Sequence, residues 1–261
     1  MFGTLIDRRL ISIREESNIN GVRRDHLEHL PAEVGRFNTQ VCVVALMKRI
    51  YLVRHGQTKW NDEGRIQGWA YIDLDDVGRR QARLVADYLA QSHPGIDRIA
   101  SSDLPRAVQT AETIASKQPF EDLSIELDDV WRERDFGVFQ GFDSSTFFTD
   151  YPEYAILENG QAAAERSPED GESYAAFDER VRSAWDEYVR SVSEAESCIV
   201  THSGVIRQIC AYVNDLDYQT AIADVSLENC SVTEIRVEDG DHSIENSNRR
   251  HFLENDQTES A

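Results

Sequence analysis

The sequence predicts an α/β fold, a three-layer α/β/α arrangement around a mostly parallel central sheet. Two observations carry that expectation. Short, wholly apolar runs alternate with longer segments of helical period, the pattern of parallel strands covered on both faces. The runs also end in short polar motifs, where open α/β sheets bind their ligands.

Taken in order, Ile50–Val53 reads as a buried first strand. Residues Val77–Ser92 place Leu84, Val85, Tyr88 and Leu89 on one helical face. Arg98–Ser101 reads as a second strand, and Pro105–Ser116 as a helix with proline in its first turn. Ser124–Leu127 fits an edge strand. Ser173–Val192 is a long amphipathic helix with Phe177, Val181, Ala184, Trp185, Tyr188 and Val192 along its stripe. Cys198–Thr201 reads as another buried strand, followed by a helix over Val205–Val213. Ser231–Val237, Asp239-Gly240 and His242–Glu245 form a hairpin pattern with an Asp-Gly turn. The organisation expected is a single domain over 47–246, with a cap insertion at about 142–170 and a frayed polar tail at 247–261.

Residues 1–46 differ from the rest. They hold six acidic and six basic residues, so 42 of the 48 acids and 21 of the 27 bases fall in 47–261. Met47 stands directly before the first strand. The expectation is that 1–46 is a mis-annotated or disordered extension and that Met47 is the true start.

The net charge of −21 argues against nucleic acid and against an anionic membrane face as partners. Only Lys48, Lys59 and Lys117 are lysines, against 24 arginines. High acid with scarce lysine resembles proteins of salt-loving organisms. The apolar run Val41–Met47 is far shorter than the roughly 20 residues that span a bilayer. Cys42, Cys198, Cys210 and Cys230 are scattered, as expected of reduced thiols in a cytoplasmic protein.

Three polar motifs follow predicted strands: Arg54-His55-Gly56-Gln57-Thr58, Ser101 through Arg106, and His202-Ser203-Gly204. Two histidines and two arginines at strand ends make a positive pocket in a strongly acidic chain. Arginine's forked donors suit a phosphate group, and the glycines would let the backbone come close to it.

The pattern R-H-G-x-T with W-N, then G-R-x-Q-G, resembles the signature of the histidine phosphatase (phosphoglycerate mutase-like) superfamily. Further matches follow in that family's order: Ser101 to Ala107 with Gln109-Thr110-Ala111, Arg132-Glu133 with Gly137 and Gln140-Gly141, Gly171-Glu172-Ser173, and Thr201 to Gly204. The resemblance covers about 48–213 and implies a phosphoglycerate mutase-like fold.

It also implies roles. His55 would be the nucleophile that becomes phosphorylated, and Arg54 and Arg106 should lower its pKa. Arg54, Arg106 and His202 would hold the phosphoryl oxygens, with Asn61 as a neutral donor. Glu133 would be the general acid, then the base that activates water. Glu126, Asp128, Asp129 and Asp135 stand close to it in sequence, and only the family frame selects Glu133. Gln67-Gly68 would shape the pocket rim or form a turn; His93 and His242 would lie on the surface. No metal and no cofactor are expected. Two departures stand out: Tyr71-Ile72-Asp73-Leu74 replaces a D-x-P-L pattern, and Asp170 replaces a glycine.

The cap segment 142–170 carries seven large apolar residues but one base, Arg166. An aromatic, acidic cap favours a phosphomonoester hydrolase acting on a small phosphorylated metabolite. The alternatives are phosphoglycerate mutase-type phosphotransfer and a non-catalytic phosphate-binding protein on the same fold. Oligomeric state and substrate stay open.

Overall fold

The computed structural model describes residues 47–217, 220 and 227–258. The expectations for residues 1–46 lie outside the described residues.

Thirteen regular elements are described. They are β1 (Lys48–Arg54), α1 (Lys59–Asp62), α2 (Asp76–Ser92), β2 (Ile99–Ser101), α3 (Pro105–Ala115), β3 (Ile125–Leu127), α4 (Phe147–Asp150) and α5 (Ile156–Ala164). After these come α6 (Tyr174–Ser191), β4 (Glu196–Thr201), α7 (Ser203–Val213), β5 (Val232–Glu238) and β6 (Asp241–Arg249). The six strands form one sheet in the order β3-β2-β4-β1-β5-β6. The β3-β2, β2-β4 and β4-β1 pairings are parallel; β1-β5 and β5-β6 are antiparallel. This is the mostly parallel α/β sheet that the alternation predicts, with β3 at its edge.

The sheet has a core on each face because successive strand residues point to opposite sides. Ile50, Leu52 and Ile199 pack with Phe177, Val181 and Trp185 of α6 and Ile206 and Ile209 of α7. Tyr51, Val53, Cys198 and Val200 pack with Val85 and Leu89 of α2 and Ala111 and Ile114 of α3. The α6 stripe is buried along its whole length. On α2 the buried set is Ala82, Val85, Ala86, Tyr88 and Leu89, and Leu84 sits at its margin. Asp75 caps α2 through the Gly78 N–H at 2.7 Å, and Ser173 caps α6 through the Ala176 N–H at 3.1 Å. Asp239 and Gly240 both have positive φ, as a two-residue hairpin turn needs.

The chain end departs from expectation. Strand β6 runs past residue 246 to Arg249, and a 3-10 helix follows over His251–Thr258. Phe252 is buried and stacks on Tyr88 at 4.4 Å between centroids. Leu253 packs on the same core and His251 meets the Tyr88 ring edge-on, so a few side chains in a polar stretch dock it on α2. His93 and His242 are half-buried rather than on the surface: His93 lies 4.3 Å from the Tyr51 ring, and His242 Nδ1 accepts the Trp185 indole N–H at 3.2 Å.

Between β3 and α6 the chain builds the cap. Phe147 and Tyr154 pack with Ile66 and Phe139, and Phe136 and Tyr151 close around them. Most cap aromatics therefore form a small core of their own. No helix among the described residues is long and apolar enough to cross a membrane.

Candidate active site

The carboxyl ends of β1, β2 and β4 lie side by side, so the three polar motifs converge. His55 follows β1, and its backbone N–H bonds to Thr201 O at 2.9 Å. Its Nδ1 donates to Gly56 O at 2.7 Å. A carbonyl only accepts, so Nδ1 carries the ring proton and Nε2 keeps its lone pair. Nε2 accepts from Arg106 Nε at 3.3 Å. Burial holds the imidazole pKa well below its ordinary value, and Arg106 and then Arg54 depress it further. The two arginines act in the direction their placement predicts, but desolvation is the larger cause.

His202 caps the start of α7 and is fully buried, its ring 5.1 Å from that of His55 in edge-to-face contact. Burial first, then Arg106, His55 and Arg54, keep it neutral. Arg106 on α3 is wholly buried and donates to Gly68 O at 2.7 Å and Ala70 O at 3.0 Å. Its pKa is pushed down to about 10 by burial. Arg54 donates to Leu227 O, while its Nε is buried with no partner among the described residues. Neither arginine forms an ion pair among the described residues. The Glu133 charge offsets part of both, and an anionic ligand would offset more.

Glu133 sits across the cluster. Its Oε2 accepts the Gly204 N–H and its Oε1 the Arg134 N–H, each at 2.9 Å. Its sequence neighbours are engaged elsewhere. Glu126 pairs with Arg98, Asp128 caps a 3-10 turn, and Asp135 accepts the Gly137 N–H at 2.8 Å. Asn61 on α1 accepts at Oδ1 from the Thr58 N–H at 3.1 Å and from Asn229 Nδ2 at 3.3 Å, and it borders the cleft. Gln67 Oε1 accepts from Thr58 Oγ1 at 3.0 Å and also borders the cleft. Gly68, at φ +52°, is more than a turn residue, since it turns its carbonyl onto Arg106.

The glycines also make room within the protein. A Cβ at Gly56 would lie 2.6 Å from Gly78 O on α2, and one at Gly204, which borders the cleft, would lie 2.0 Å from Glu133 Oε1. The departing loop is anchored as well. Gln109 accepts the Leu74 N–H at 2.9 Å and donates to Asp73 at 2.8 Å. Asp170 adopts φ +55°, which aspartate tolerates better than most residues.

The cluster forms the floor of a cleft of about 400 Å³. Seven of the eight predicted residues line the cleft; the eighth, His202, does not, but its ring packs against that of His55. Several neighbours were missed. Arg65, Arg134 and Arg207 line the cleft, so its cations come from outside segment 142–170, and Arg166 is exposed and does not border it. Arg134 was legible only as the residue after Glu133, and Arg207 only as one turn past Ser203 on α7. Asn229, which donates to both His55 O and Asn61, lies in a stretch with no motif.

Residues 50–250 match the histidine phosphatase superfamily (branch 1). The chain is 34% identical over 193 residues to phosphoglycerate mutase-like protein 4 of Arabidopsis thaliana, covering 74% of this chain and 80% of that one. It is 33% identical over 205 residues to the metal-independent phosphoserine phosphatase of the same plant, covering 78% and 82%. A mycobacterial glucosyl-3-phosphoglycerate phosphatase, solved with vanadate, superposes with a TM-score of 0.65 at 27% identity over 78% of this chain and all of that one. The chain belongs to branch 1 of the histidine phosphatase superfamily.

Proposed function

We propose that the protein is a phosphomonoester hydrolase that works through a phosphohistidine at His55. One observation supports this most directly. The Nε2 lone pair of a neutral, buried His55 faces Arg106 at 3.3 Å, and neither Arg106 nor Arg54 forms an ion pair among the described residues. In-line attack by Nε2 forms the P–N bond as the P–O bond to the leaving group breaks. Arg54, Arg106 and His202 carry the charge that spreads over the phosphoryl oxygens. Glu133 in its acid form gives the leaving oxygen its proton. The resulting carboxylate then takes a proton from water, whose oxygen displaces Nε2 and returns phosphate. These roles of His55, Arg54, Arg106, His202, Asn61 and Glu133 are the assignment we propose for the site.

The walls suggest the leaving group. Phe136, Phe148, Ile156, Leu157 and Phe177 make one side apolar. Arg134 is buried, forms no ion pair among the described residues and has its pKa lowered by desolvation. A small metabolite whose leaving alcohol bears its own anionic group fits both features. The expected charge-poor cap is corrected on this point, because Arg65, Arg134 and Arg207 supply the cations that segment 142–170 lacks. That same surplus of arginine keeps mutase-type transfer as the second reading.

Incubation with O-phosphoserine, p-nitrophenyl phosphate, and 3-phosphoglycerate with its bisphosphate separates the two. Release of inorganic phosphate supports the hydrolase. Isomerisation of phosphoglycerate faster than phosphate release overturns it.

A further inference from the structure

The two ring nitrogens of His202 have different surroundings. Nε2 lies 2.9 Å from Ser102 Oγ. Nδ1 is buried and has no hydrogen-bond partner among the described residues. A hydroxyl can donate to an imidazole nitrogen or accept from it, so the direction depends on what else the hydroxyl meets.

Ser102 is itself fully buried. Its Oγ accepts the Leu104 N–H at 3.3 Å. The Ser102 carbonyl is taken by Ser101 Oγ at 2.8 Å. Among the described residues, His202 Nε2 is the one acceptor that bonds with the Ser102 hydroxyl. Were Nε2 protonated, two donors would face one oxygen and the Ser102 proton would be buried without a partner. Donation from Ser102 Oγ to Nε2 satisfies the hydroxyl and Nε2, and it leaves the ring proton on Nδ1 as a buried donor whose acceptor is not among the described residues.

Strand register makes the pairing reproducible. β2 and β4 pair in parallel with Ser101 opposite Val200, and the Ser102 N–H bonds to Val200 O at 2.9 Å. Ser102 and His202 each stand one residue past the end of a paired strand. A buried serine at this point meets the Nε2 edge of the imidazole, whose ring packs 5.1 Å from that of His55.

We propose that Ser102 is a positioning residue that fixes His202 as the Nδ1–H tautomer, so that a neutral histidine donates from Nδ1 to an oxygen of the transferred phosphoryl group. The target of that N–H rests on the phosphoryl-transfer reading; the tautomer itself does not. With the opposite tautomer, the Nδ1 lone pair would face anionic oxygens and repel them. A neutral ring needs its proton placed by its other nitrogen's partner, and serine supplies that partner without adding charge.

The test uses full-length protein labelled with ¹⁵N-histidine and inorganic vanadate as the probe. Long-range proton–nitrogen correlation at neutral pH should show His202 with a protonated Nδ1 and a bare Nε2, with and without vanadate. Ser102→Ala should shift or mix the two tautomers. It should also lower kcat for p-nitrophenyl phosphate about 10- to 100-fold, with KM within about threefold. Ser102→Thr keeps the hydroxyl and should restore both readouts. A wild-type His202 protonated at Nε2 overturns the proposal. So does a Ser102→Ala protein with an unchanged tautomer and turnover within about threefold of wild type. Absence of any phosphomonoester hydrolysis by the wild type would instead overturn the functional reading, and the tautomer could still be measured.

Discussion

Glu133 and Gly204 fit together so closely that the carboxylate must move before residue 204 can carry a side chain. The carboxylate accepts the Gly204 N–H at 2.9 Å, and a methyl group on residue 204 would come within 2.0 Å of Oε1. The acid is therefore held at the start of α7 by a glycine that lies 71 residues away in sequence.

Gly204→Ala should displace the acid without touching phosphate binding. We expect turnover of alkyl phosphates to fall about 10²-fold or more, with vanadate affinity nearly unchanged. Glu133→Gln should behave alike, at about 10²–10⁴-fold. With p-nitrophenyl phosphate, whose leaving group needs no proton, formation of the phosphoenzyme should suffer less and the intermediate should accumulate in a rapid quench. Equal slowing of both substrates with no accumulation would mean that Glu133 only shapes the site.

His55→Ala should remove the acid-labile phosphoenzyme and turnover together while leaving the circular dichroism spectrum intact. Activity should survive EDTA, since the charge on phosphate is met by Arg54, Arg106 and His202. Residual turnover above a few per cent in the variant, or loss on chelation restored by a divalent ion, would break the assignment.

Acid should destabilise the fold through the two buried histidines. Both His55 and His202 have folded pKa values well below the ordinary 6.5. Their contribution is complete above that pH, where the unfolded chain is also neutral. It is lost as pH falls below 6.5, because only the unfolded state then takes up protons, at up to about 1.4 kcal/mol per pH unit for each histidine. Urea titrations from pH 7 to 5 should show falling stability, and a His55→Gln, His202→Gln double variant should show a flatter slope. An unchanged slope would mean that neither histidine is held neutral.

Salt should stabilise the protein. Repulsion among 42 acids against 21 bases in residues 47–261 is screened as the ionic strength rises. The melting temperature should climb as KCl is raised toward molar levels. A melting temperature independent of salt would remove the resemblance to proteins of salt-loving organisms.

What could be read along the chain was whatever depends on local period and local chemistry. The wholly apolar Ile50–Val53 and Cys198–Val200 had to be buried strands, and the α6 stripe from Phe177 to Val192 had to face a core. His55 and His202 were legible because each follows a strand directly, and Arg106 because it closes a polar motif that begins at a strand end; strand ends converge wherever strands lie parallel. The tertiary structure decided what depends on side chains meeting across long separations. Arg134 comes to the cleft from the loop after Glu133 and Arg207 from α7, and most cap aromatics turn inward around Phe139, leaving Phe148 to line the cleft. Asn229 reaches His55 across 174 residues, and Ser102 meets His202 across 100. Such pairings carry no local signature, because a single hydrogen bond constrains one side chain and imposes no period on its neighbours. Phe252 and Leu253 show the same limit: two adjacent apolar side chains dock a polar chain end, and two neighbours impose no hydrophobic period that could be seen.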